Sequence, residues 1–229
     1  MAIQESAETS LRKTVRKYVD FNKINGDDGY NWINNGSYIA SYEMSFSGVL
    51  KGSHIWEFIK DRQNPVVVDL MGPSEAISTL FMQVPNKENL GVAVSLQDSR
   101  TKEEKKRDAS LNVIQLEGDI MKSSTWSEIE KKLNGRKADL IMERGLCGFD
   151  CIPTDSNLYA ILLRKAWRLL SRDNGVIMAW IPNGFGIQAT ELADRLKDNN
   201  VNAWSGRSIT HSYSVGIGKD SNSPGKLSL

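Results

Sequence analysis

Four carboxylates in this chain stand where an acid can do chemistry. Asp69 closes the apolar run Pro65 to Leu70 just before a Gly72-Pro73-Ser74 turn, Asp119 follows Glu117-Gly118, Glu143 ends another apolar run, and Asp98 lies just beyond a third. A carboxylate at a strand end, facing the first turn of the following helix, accepts hydrogen bonds from a cationic ligand or from nearby backbone N–H groups. In open α/β sheets that edge is where ligands bind. Arg144, directly after Glu143, either binds substrate or pairs with its neighbour. His54 and His211 are the only histidines and the side chains whose ordinary pKa suits a general base near neutrality. For each acid a plainer role is also open: Asp69 and Asp119 as caps of their own turns, Glu143 and Arg144 as an ion pair. Each histidine is equally readable as a surface or core residue, and Gly72 as an ordinary turn glycine.

These residues need a frame. Val66, Val67 and Val68 are β-branched and continuous, as in a strand buried on both faces. After it, strand and helix signals alternate. Strands are expected over 65–70, 91–96, 112–116, 138–143 and 176–181, and helices over about 74–84, 99–110, 126–133, 156–170 and 188–197. Two further β-type runs, 201–207 and 212–218, are joined by a connection too short for a helical crossover and so pair antiparallel. Upstream, Leu11, Val15, Tyr18 and Val19 give helical spacing over Ser6 to Ile24. The aromatic region Tyr30 to Phe58 is harder to assign. Ile39 to Phe46 reads as a strand and Ser53 to Lys60 as a short helix. The expected organisation is an extension over 1–62, a sheet domain over 63–218 and a disordered polar tail over 219–229.

Composition narrows the function. Twenty-nine basic and 28 acidic residues leave a net charge of +1, too little to hold nucleic acid or an anionic membrane. The basic stretch Lys102 to Arg107, KEEKKR, mixes signs and reads as a solvated helix face. Cys147 and Cys151 have no second pair with which to build a zinc site, so no metal is expected. With no apolar run near the ~20 residues that span a bilayer, a cytoplasmic protein with reduced thiols is expected.

The order of these elements resembles the class I S-adenosylmethionine-dependent methyltransferases over roughly residues 62–218. VVVDLMGPSEA stands where that family has a strand, an acid and a glycine-rich turn, and VIQLEGDIM is similar to the segment after its third strand. ADLIMERGLCGFD is similar to the fourth strand and the loop flanking methyl transfer, and LLRKAWRLLSRDNGVIMAWIP to the helix, Gly turn and fifth strand. The resemblance implies a doubly wound, mostly parallel seven-stranded α/β sheet with an antiparallel C-terminal pair. It implies S-adenosylmethionine as cofactor, with Asp69 and Gly72 at its methionine end, Asp98 at the ribose (or Ser95 or Gln97), and Asp119 and Ile120 at the adenine. Trp126 either covers the adenine or packs in the core. Glu143 flanks the cofactor and, with His54, is the expected catalytic group, while Arg144 would bind substrate.

Two departures stand out: one glycine, Gly72, where the family's first turn has three, and Ser95 where its second strand ends in an acid. The expected activity is methyl transfer to a small-molecule acceptor; the alternative is a methyltransferase-like binding or scaffold subunit without catalysis. A homodimer through the aromatic extension is a further expectation. A nicotinamide-dependent oxidoreductase is disfavoured, because G-x-G-x-x-G is absent after the first strand.

Overall fold

The computed structural model describes residues 39–84, 88–95, 98, 100–144, 156–181, 188–209 and 212–229. The expected helix over 6–24, both cysteines, His211 and Gln97 lie outside these residues.

Seven strands form one sheet: β1 (Val66–Asp69), β2 (Leu90–Ser95), β3 (Val113–Glu117), β4 (Leu140–Glu143), β5 (Gly175–Ile181), β6 (Asn202–Arg207) and β7 (Tyr213–Lys219). Their spatial order is β3-β2-β1-β4-β5-β7-β6. The first five pair in parallel, and β7 runs antiparallel between β5 and β6. The sheet order therefore reverses between β1 and β4, and crevices form at such a switch point.

Helices cover both faces. On one lie α1 (Ile39–Leu50), α2 (Glu75–Gln83) and α3 (Lys102–Ser110); on the other lie α4 (Ser123–Leu133), α5 (Ser156–Leu169) and α6 (Ala189–Asp198). The pleat explains the split. Val66 and Val68 belong to the core under α4, α5 and α6, whereas Val67 belongs to the core under α1 and α2. Methylene for methylene, this two-sided burial is the main drive for the fold.

Local chemistry sets several boundaries. Thr101 and Glu104 form a capping box, Thr101 Oγ1 accepting from the Glu104 amide at 3.2 Å and Glu104 Oε2 from the Thr101 amide at 2.6 Å. That box starts α3 later than the sequence spacing suggests. Asn134, in the left-handed region at φ 48°, ends α4 just before Gly135.

One expectation for the aromatic region is overturned: Ile39 to Phe46, expected as a strand, is the first part of α1. The short helix expected over 53–60 is present as a 3-10 helix, Ile55–Phe58. Ile39, Tyr42, Phe46 and Val49 recur at helical spacing and are all buried against the sheet, so tertiary burial overrides the β-type composition. The tail is not loose either. Arg172 donates to the Ser221 and Ser223 carbonyls, Trp167 Nε1 to the Pro224 carbonyl at 3.1 Å, and Leu227 is buried in the core.

Among the described residues no helix is long and apolar enough to cross a membrane, and no group of three His, Cys, Asp or Glu could hold a metal ion.

Candidate functional site

Asp69 ends β1 on the same face as Val67, the face that α1 covers. It is fully buried. One oxygen accepts from the Met71 amide at 3.2 Å, closing its own turn, and the other from the Tyr42 hydroxyl at 2.6 Å. Burial pushes its carboxyl up to about 6, against the opposing pull of the Tyr42 and Met71 hydrogen bonds and of Arg144. Burial and the adjacent carboxylate likewise hold the Tyr42 hydroxyl well above its ordinary value. Arg144 lies over the Tyr42 ring, its guanidinium carbon 4.4 Å from the centroid. A Cβ on Gly72 would run into the Tyr42 hydroxyl and the Asp69 carboxylate. Only glycine lets these three groups meet.

Glu143 ends β4, the strand beside β1. It shares the face of Ile141, opposite to that of Asp69, and is buried with Tyr159 Oη donating to it at 3.1 Å. The two acids thus stand at neighbouring strand ends and leave the sheet on opposite sides. Arg144, the next residue, lies over Tyr42, on the side of Asp69.

At the second strand the picture differs. Asp98 binds Arg100 through two hydrogen bonds at 2.9 and 3.0 Å, and Lys105 lies 3.2 Å from the same carboxylate. The Arg100 hydrogen bonds hold its carboxyl far below the usual carboxylate range. Both oxygens are thereby committed to cations of the chain, and the expected ribose acid is an ion-pair partner. Ser95, at the end of β2, accepts from Gln115 Nε2 at 2.9 Å.

Asp119 is half-buried, its Oδ1 accepting from the Met121 amide at 2.9 Å. Ile120 is buried in the core below it. Trp126 packs in that core too, with Nε1 donating to the Ile120 carbonyl at 2.6 Å, which assigns it to the core rather than to an open ring-stacking surface.

His54 stands outside this group. Its side chain is 59% exposed, and Nδ1 lies 3.1 Å from Glu43. Its backbone amide donates to Glu57, and its ring stacks on Trp56. None of these partners belongs to a strand end, so the structure does not bring the expected base to the acids.

Tyr42 and Tyr159, which sequence reasoning missed, supply the hydroxyls for Asp69 and Glu143. Helical spacing through Tyr42, Phe46 and Val49 is the signal that could have directed attention to the first. Nothing local marks the second.

No protein-family model and no curated protein matches the chain. Solved structures do. The plantazolicin methyltransferase BamL, in complex with a triazolic desmethylPZN analog and SAH, superposes with a TM-score of 0.58 at 13% identity, over 93% of this chain and 99% of that one. The plantazolicin methyltransferase BpumL gives 0.54 at 11% identity with that analog and SAH, over 93% of this chain and 99% of that one, and 0.51 at 12% identity with SAH, over 93% and 98%. At such identities the likeness speaks to architecture alone. With the strand order and the antiparallel β7 it establishes that this chain has the class I methyltransferase fold.

Proposed function

We propose that this chain transfers a methyl group from S-adenosylmethionine to a small-molecule acceptor. One observation carries the reading: at the β1–β4 switch point two buried carboxylates, Asp69 and Glu143, are each held by a tyrosine hydroxyl. Burying a carboxylate costs stability, and a fold with no use for these two would replace them with apolar residues. Acids kept at the ligand-binding edge despite that cost support a role there.

The donor set fits the cofactor after β3, where Asp119 would take the adenine amino group, with Ile120 beneath. At β1, Asp69 and Gly72 would hold the methionine end once the Tyr42 hydroxyl, which fills the space between them, is displaced. At β2 the set fits less well. Asp98 is spent on Arg100 and Lys105, so the ribose hydroxyls fall to Ser95. When bound, S-adenosylmethionine supplies an electrophilic methyl carbon. The protein's part is then mainly alignment, worth up to ~7–11 kcal/mol in favourable intramolecular comparisons. In this reading Glu143, held by Tyr159, would take a proton from the acceptor, and Arg144 would hold an acceptor anion. His54 is assigned no role. The small-molecule acceptor rests on the near-zero net charge, which gives no field for nucleic acid.

A second reading, a methyltransferase-like subunit without catalysis, is favoured by the Tyr42 hydroxyl over Gly72 and by the commitment of Asp98. Calorimetric titration with S-adenosylmethionine and S-adenosylhomocysteine separates the two. Micromolar binding that Asp69→Asn abolishes, in a variant with unchanged circular dichroism, supports the enzyme. No heat at millimolar ligand supports the subunit.

A further inference from the structure

The first turn has lost two of its expected glycines, yet it is pinned from outside at three points. The Gly72 amide donates to the Val94 carbonyl at 3.1 Å. The Ser74 amide donates to Gln115 Oε1 at 2.7 Å, and Gln115 Nε2 reaches Ser95 at the end of β2. The Ser74 hydroxyl, finally, donates to the Asp108 carboxylate.

Asp108 is the centre of this arrangement. It sits on α3, fully buried, and takes hydrogen bonds from three elements. Ser74 and Ser78 reach it from the turn and from α2, the second at 2.5 Å. Arg100 Nη1 reaches it at 2.9 Å from the β2–α3 connection, while its other nitrogens hold Asp98. Arg107, on α3 itself, approaches at 3.3 Å and pairs with Glu75 at the start of α2. Packing α3 on α2 needs none of this, since apolar side chains there would avoid desolvating a carboxylate and two guanidiniums. What the polar solution adds is direction: it ties the turn after β1 to Asp98 and Arg100, which lie beyond β2.

We infer that Asp108 is a positioning residue for the ligand-binding turn, anchoring through Ser74 the start of α2 and the turn that leads into it. This rests on the reading of the β1–β4 crevice as the cofactor site.

Ser74→Ala and Ser78→Ala provide the test, because each removes one hydroxyl from the same carboxylate. Only Ser74 belongs to the turn. Two quantities are measured on each variant: the hydrogen-exchange rate of the Gly72 amide in the ligand-free protein, and the affinity for S-adenosylhomocysteine by calorimetry. Losing a hydrogen bond to a charged group predicts about tenfold faster exchange at Gly72 and about tenfold weaker affinity for Ser74→Ala. Ser78→Ala should lower the melting temperature comparably and leave both quantities within about twofold. Equal effects of the two variants, or unchanged Gly72 exchange in Ser74→Ala, would overturn the inference. If the unaltered protein binds no S-adenosylhomocysteine, the cofactor reading fails on its own, and the exchange comparison still decides whether Asp108 fixes the turn.

Discussion

Asp69 shows what a buried acid does to the pH dependence of a fold. Its carboxyl rises from 3.8 to about 6 in the folded chain, so the folded state binds a proton that the unfolded state has already released. Its contribution is therefore complete below pH ~4 and is lost as pH rises through 6, a change of about 3 kcal/mol. Asp69→Asn should flatten the stability profile between pH 4 and 7 and raise stability above pH 7, as read from urea midpoints across that range. Tyr42→Phe should do the opposite. It removes a donor that favours the ionised form, so Asp69 rises further and the variant loses about 2 kcal/mol at pH 8 and less at pH 4.5. An unfolding series at those two pH values checks the sign. Glu143 was legible as a strand-end acid because apolar runs announce where strands stop, and Asp119 through the resemblance of VIQLEGDIM to a family segment. The tyrosines were not, because Tyr42 meets Asp69 across 27 residues and local pattern carries no record of such a contact.

Among the elements, those with a buried period were readable. β1 to β5 lie close to their expected spans: β1, β2, β4 and β5 are buried parallel strands that demand continuous apolar residues, and β3 is a half-buried edge strand. α1 was misread as a strand. Its residues Ile39, Tyr42 and Phe46 have β-type side chains, and what makes them helical is a sheet face waiting to be covered. Its seat on that face is narrow. Gly48 and Gly206 touch backbone to backbone, so a Cβ on Gly48 would collide with the carbonyl group of Gly206 in β6. Gly48→Ala should therefore cost about 1–3 kcal/mol in chemical unfolding. It should also displace α1, and Tyr42 with it, so that Asp69 loses its hydroxyl partner. A fall in Tyr42→Phe's own effect when the two changes are combined is the double-mutant signature of that coupling.

For the molecule as a whole, the segment after β7 is tied down along its length and seats Leu227 in the core. Its composition, polar with Pro224 and Gly225, suggested disorder, and nothing within it shows that Trp167, Arg164 and Arg172 are waiting to receive it. Removing residues 221–229 uncovers Leu227's site and leaves the indole N–H of Trp167 without its acceptor. A loss of about 3 kcal/mol follows, seen as a melting temperature lower by about 6–12 °C in calorimetry.

The place of β7 has a consequence for how the protein is made. Of the seven strands it is the last in chain order, yet it occupies an interior slot. Until Tyr213–Lys219 emerges, the facing borders of β5 and β6 offer unpaired amides and carbonyls to any neighbouring chain. Early synthesis can thus deliver a half-sheet but no sealed one. Nascent chains arrested before Tyr213 should be cut readily by protease and stick to chaperones, and those arrested well past Lys219 should resist both.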